Sequence, residues 1–215
     1  MENLKLISLK RFFLFLLSIY ISSFVSAAWT PIIHHYTPKN YEAGTQNWDI
    51  VEQANGWMYI ANNYGLLETD GCRWNLYGIN NSSALRSVTL DNEGNIYVGG
   101  TDEFGVFVAD GLGRLKYENL SMYVPSSYRN FGEVWRLQVA ENKLYVQTRH
   151  YIFIYKKGEG IEVIDPGAII YESLVWEGNL YVATSRDLYV QSGGRLHALR
   201  GAESLHNIVV CGLSP

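Results

Sequence analysis

The side chains best suited to gripping a polar ligand fall in short loops between runs of alternating apolar residues. Four such loops recur: Asn62-Asn63-Tyr64, Thr101-Asp102-Glu103-Phe104, Thr148-Arg149-His150 and Thr184-Ser185-Arg186-Asp187. Amides, carboxylates, guanidinium groups and aromatic rings that converge on one mouth suit a sugar or another polar oligomer. Tyr64 or Phe104 would stack on it, and Asn62 or Asp102 would orient it by hydrogen bonds. Asn63, Glu103, Arg149 and Arg186 complete that candidate set, with ordinary solvated turns as the competing reading of each. Arg86 and Arg136 stand apart, near the start of two strand-like runs. There they either grip an anion or form structural pairs with Asp49 or Glu133.

Other chemistries find little support. Asp102-Glu103 is the one tight acidic pair in a candidate loop, but neighbours on an extended chain point to opposite sides. A glycosidase needs two carboxyls about 5 to 9.5 Å apart across one bond. His34-His35 diverges in the same way and has no third ligand nearby, so neither a metal nor a cofactor is expected. The chain has no Gly-x-Ser-x-Gly elbow, no phosphate loop and no Asp-rich calcium loop.

What positions these loops is a repeat. Asn47 to Gly71 reads NWDIVEQANGWMYIANNYGLLETDG, two apolar runs about an Asn-Gly turn and a third ending in Asp-Gly. The plan returns in GNIYVGGTDEFGVFVADG (Gly94 to Gly111), NKLYVQTRHYIFIYKKG (Asn142 to Gly158) and GNLYVATSRDLYVQSGG (Gly178 to Gly194). Tyr59, Tyr97, Tyr145 and Tyr181 mark the copies, at spacings of 38, 48 and 36 residues. β-rich repeats of roughly 40 residues are propeller blades. The fold class is therefore all-β, a β-propeller with about four complete four-stranded blades, roughly 48–79, 85–120, 134–164 and 173–200.

The strands fall at Trp48–Glu52, Trp57–Ala61, Gly65–Thr69 and Arg73–Ile79 in the first copy, then at Leu85–Leu90, Ile96–Gly99, Val106–Ala109 and Arg114–Leu120. The third copy uses Val134–Val139, Lys143–Gln147, Tyr151–Tyr155 and Gly160–Ile164. The fourth uses Ser173–Trp176, Leu180–Ala183, Leu188–Gln191 and Arg195–Arg200. A fifth copy starts at Asn207, and the long loop Ser121 to Glu133 accounts for the widest spacing. Trp48, Trp57, Trp74 and Tyr59 fall where blades pack face to face and are expected in the core. Ile32 to Thr37 is placed to be a short strand that closes the ring. Its partners would lie beyond residue 215, so the chain reads as the leading part of a larger, for example seven-bladed, ring.

Composition agrees. Of 215 residues 14% are aromatic, 16 being Tyr, and Gly adds 20. Net charge is -4, and without a basic patch this segment is not expected to touch nucleic acid. Residues 1–28 differ in kind. Lys5, Lys10 and Arg11 precede an apolar run from Phe12 and a small-residue site at Val25-Ser26-Ala27, the pattern of a secretory signal. The alternative is an uncleaved anchor. The rest, 29–215, is exported and periplasmic. Cys72 and Cys211 lie far apart in the repeat and are expected as buried free thiols rather than a bridge.

AGTQNWDI (Ala43 to Ile50), ANNYGLLETDG (Ala61 to Gly71), Trp74 to Tyr77, LRSV (Leu85 to Val88), IYVGGTDEFGVF (Ile96 to Phe107) and EVWRL (Glu133 to Leu137) go beyond blade grammar. These stretches resemble the N-terminal propeller of exported sensor-regulators of Bacteroidetes-type bacteria. In those proteins two-component-regulator propeller repeats precede a triple-tyrosine domain, a membrane helix and a LuxR-type helix-turn-helix or histidine kinase output. The resemblance covers about the first three blades and reaches no output domain. It implies a non-enzymatic, extracytoplasmic sensor that recognises a small ligand, with an oligosaccharide as the expected class. It further implies a membrane link through a part absent here, and signalling by blade packing or propeller–propeller dimerisation. A secreted polysaccharide lyase or hydrolase, and a ligand-free interaction scaffold, are the alternatives.

Overall fold

The computed structural model describes residues 13–15 and 32–202. Those from Tyr36 on belong to one compact unit, which carries every described strand. The expected export signal lies almost wholly outside the described residues, as do the start of a fifth blade at Asn207 and Cys211.

Among the described residues, alternating apolar residues bounded by tight turns make sixteen strands, all in antiparallel meanders in chain order. The first sheet is β1 (Asn47–Glu52), β2 (Met58–Asn62), β3 (Gly65–Thr69) and β4 (Trp74–Tyr77). The second is β5 (Ser87–Leu90), β6 (Ile96–Gly99), β7 (Phe104–Ala109) and β8 (Leu115–Asn119). The third is β9 (Arg136–Ala140), β10 (Lys143–Gln147), β11 (Ile152–Lys156) and β12 (Gly160–Ile164). The fourth is β13 (Ile170–Trp176), β14 (Asn179–Thr184), β15 (Leu188–Ser192) and β16 (Arg195–Ala198). The innermost strands β1, β5, β9 and β13 pack in succession. Four-stranded meanders whose first strands gather in this way are propeller blades.

Three cores hold the blades face to face. Tyr59, Leu66, Leu85, Val98 and Phe107 fill the space between the first and second blades. Phe104, Val124, Phe131, Val134, Val146 and Phe153 fill the next. Tyr145, Ile152, Ile154, Ile170 and Val182 fill the third. Tyr59 and Tyr145 are thus interblade residues, with Tyr97 packed on the second core in the same way. The long loop from Ser121 is not slack, because Val124 and Phe131 plug it into the core beneath Phe104.

Two expectations need correction. Residues 32–37 form no strand. Pro38, with φ preset for a first helical turn, instead opens a one-turn helix, α1 (Pro38–Tyr41). Its Tyr41 is buried with Ile60 and Leu67 on the outer face of the first blade, and the Tyr36 ring packs edge-on to Trp74 at 5.2 Å. The start of the chain therefore covers a blade face instead of adding a strand. Cys72, expected to be buried, is a free and exposed thiol. It sits in a turn where the Asp70 carboxylate accepts the backbone N–H groups of Cys72 and Arg73 at 2.9 and 2.7 Å.

Candidate functional site: a cavity at the channel wall

The four innermost strands share a register. Asp49, Ser87, Arg136 and Glu172 each pair with the residue two beyond the repeat tyrosine: Ala61, Gly99, Gln147 and Ala183. The residue just before each is Trp48, Arg86, Trp135 or Tyr171, and all four line one cavity of about 660 Å³. In the first and fourth blades the register skips Trp48 and Tyr171, so each is the extra residue of a β-bulge. A bulge re-aims its side chain, here away from the ladder and into the channel. In the middle blades Arg86 and Trp135 hold the same place, their N–H groups donating to Gly99 O (2.8 Å) and Gln147 O (2.9 Å).

Charge is arranged around this ring. The Arg86 guanidinium lies 3.9 Å from the Trp48 ring centroid and 5.9 Å from that of Trp135. Its Nη2 donates to Glu133 Oε1 at 2.8 Å, while Nη1 is buried without a hydrogen-bond partner. Arg136 Nη1 donates to Glu172 across the third and fourth blades. Asp49 spends its carboxylate on backbone, with Oδ2 accepting from Val88 N–H at 3.0 Å and Oδ1 from Ile50 N–H at 2.9 Å. Arg149 is exposed at the cavity wall.

The loop residues expected at one mouth are dispersed. Arg86, Arg136 and Arg149 do meet in this cavity. Arg186 lines a separate cavity of about 360 Å³, with His150, Asp165 and Ser185. Asn63 lies beside the ring, where its Oδ1 accepts the Trp48 Nε1–H at 2.8 Å. Tyr64 is exposed. Asn62 is fully buried. Its Nδ2 donates to Gly44 O, Gln46 O and Asn47 Oδ1. Its Oδ1 accepts from Gly44 N–H and Tyr64 N–H. Phe104 is also fully buried, ringed by Phe131 and Phe153, and has no face left for a ligand. Both are therefore reassigned to the framework.

The acidic pair is likewise committed to the framework. Glu103 is buried and accepts Asn80 N–H and Asn81 N–H at 3.0 and 3.1 Å. Asp102 sits at φ 56°, and its Oδ1 accepts Gly132 N–H at 2.7 Å. Neither lines the ring cavity. Burial, then the nearby Glu103 charge, raises the pKa of Tyr117, whose hydroxyl finds no partner of good geometry. Among the described residues, no group of three His, Cys, Asp or Glu side chains is placed to hold a metal ion.

Trp48, expected in the core where blades pack face to face, instead lines the cavity. Trp48 is 42% exposed and Trp135 44% exposed. One sequence signal does reach them: Trp48, Arg86, Trp135 and Tyr171 precede the repeat tyrosines by 11, 11, 10 and 10 residues.

The fold and the ring define a β-propeller with a polar, aromatic-lined channel. Solved structures agree on the fold. The extracellular domain of the hybrid two-component system BT4673 from B. thetaiotaomicron matches with a TM-score of 0.60 at 18% identity, over 77% of this chain and 23% of that one. Described as a one-component system, the same domain matches at 0.58 over 79% and 24%. Virginiamycin B lyase from Staphylococcus aureus, an inactive H270A form with quinupristin, matches at 0.58 and 11% identity, over 78% and 60%. The chain thus spans about a quarter of the length of the BT4673 domains. No family model and no curated protein matches the sequence. Among the described residues no helix is long and apolar enough to cross a membrane.

Proposed function

We propose that this chain is the ligand-sensing propeller of an exported signal-transduction receptor, and that the ring cavity takes a small polar cue derived from a glycan. The observation that carries this reading is the ring itself. One residue per blade, at one register, presents two indoles, a phenol ring and a guanidinium to a single cavity. Aromatic faces with a few directed polar groups are what a sugar requires. The extracellular setting of the BT4673 domains adds support, as does the N-terminal signal pattern.

Because the ring draws one residue from each of the four described blades, a ligand there would touch all four at once. Occupancy would bias blade packing or propeller pairing, and a membrane-linked kinase or helix-turn-helix output would read that change. The acidic pair, tied to backbone N–H groups, favours sensing over hydrolysis. The test is calorimetric titration of the full chain with a panel of neutral and acidic oligosaccharides, with tryptophan fluorescence read in parallel. Saturable binding that Trp135→Ala weakens at least tenfold is expected. If no sugar in the panel binds, or if Trp135→Ala leaves binding unchanged, the cavity is not the sensing site.

A further inference from the structure

Of the arginines that line the ring cavity, Arg149 is the one that no carboxylate pairs with among the described residues. Three arginines line the cavity, Arg86, Arg136 and Arg149, against two carboxylates, Asp49 and Glu172. Both carboxylates are committed. Glu172 is paired with Arg136, and Asp49 accepts two backbone N–H groups. Arg86 has one half-buried partner, Glu133, and its Nη1 remains a buried donor with nothing to donate to. Arg149 lines the same wall, exposed, with no ion pair or side-chain hydrogen bond among the described residues.

A guanidinium fork fits the two oxygens of a carboxylate or sulfate better than it fits a lone hydroxyl. We infer that the ligand of this cavity is an acidic saccharide, whose carboxylate or sulfate ester is bound by Arg149 while its ring lies against Trp135. This inference rests on the sensing role proposed above and narrows its ligand class. Arg86 does not reach the anion, because Trp48 and Glu133 hold it and its Nη1 is buried. Arg149, exposed at the wall, supplies the charge discrimination.

Four probes decide the matter on the full chain: tetragalacturonate, its methyl ester, a sulfated chondroitin disaccharide and neutral cellotetraose. At least one charged probe should bind ten times or more tighter than cellotetraose. Binding of tetragalacturonate but not of its ester assigns a carboxylate, whereas binding of the sulfated disaccharide alone assigns a sulfate ester. Arg149→Gln should weaken the charged probe about tenfold and leave cellotetraose unaffected. Arg149→Lys should recover part of the loss, and it replaces the Gln variant should that one melt early. Equal affinity for charged and neutral probes, or charged binding that neither Arg149 variant alters, overturns the acidic ligand and leaves the sensing role standing. Failure of all four probes to bind removes the sensing role of the cavity and this inference together.

Discussion

The guanidinium carbon of Arg86 lies 3.9 Å from the ring centroid of Trp48, across the boundary between the first two blades. Trp48 is fixed from behind by Asn63, which accepts its Nε1–H, and Arg86 is fixed from the side by Glu133. A cation over an aromatic face contributes about 0.5 to 2 kcal/mol, small against the interblade cores. On the sensing role proposed above, the pair would serve the cavity more than the fold, since it holds two long side chains in one orientation.

Trp48→Ala should therefore cost the fold about 1 kcal/mol and the cavity much more, with at least a tenfold loss of oligosaccharide affinity. Asn63→Ala should give a smaller loss that disappears in the Trp48→Ala background, because Asn63 acts through the indole. A double-mutant cycle on binding measures this coupling. Additive losses would mean that Asn63 meets the ligand directly.

Asn62, next along the chain, behaves oppositely. It satisfies five hydrogen bonds from a fully buried site and ties the segment Gly44–Asn47 to the end of β2. Asn62→Ala would strand several of these groups, and each buried orphan costs about 1 to 3 kcal/mol. A loss of about 3 kcal/mol in urea unfolding is expected, with an unchanged m value. A loss below about 1 kcal/mol would show that water enters and replaces the amide.

How far the sequence could see follows from these neighbours. The sixteen strands are readable because period-2 alternation and Asx-Gly turns are local signals, and strand positions such as Gly65–Thr69 and Lys143–Gln147 coincide with the observed ones. The channel ring is not local. It depends on a one-residue register skip at Trp48 and Tyr171, and a skip of one residue reverses which face a side chain meets. Nor does loop position reveal burial. Asn62 and Tyr64 share a loop, yet one is fully buried and the other 67% exposed, because Gly44 and Gln46 arrive from outside the repeat to cover the first.

Phe104 and Tyr64 make the same contrast between two aromatics once given one role. Phe104 is fully enclosed between the second and third blades with Phe131 and Phe153. Phe104→Ala should lower stability by about 3 to 5 kcal/mol, whereas Tyr64→Ala should shift it by no more than about 0.5 kcal/mol. Thermal melts of the two variants against the parent chain decide this. Comparable shifts would contradict the enclosure of Phe104.

The interblade tyrosines give the propeller an alkaline limit. Tyr59 is pushed up to about 12, by burial first and then by the charge of Glu68. Tyr77 is also pushed up to about 12, by burial and by its 2.8 Å hydrogen bond to Glu68. Burial raises Tyr97 and Tyr117 as well. In the unfolded chain these phenols ionise near their ordinary value of about 10. Below that pH both states hold the proton and stability does not depend on these groups. Between about 10 and 12 the unfolded chain releases protons that the folded chain retains, so unfolding becomes easier as pH rises. The urea midpoint should hold steady up to about pH 10 and fall steeply towards pH 12. Glu68→Gln removes the second cause and leaves the first, so it should flatten that fall without abolishing it. A midpoint that stays level to pH 12 in the parent, or falls as steeply in the variant, would show that the Glu68 carboxylate does not hold these two tyrosines neutral.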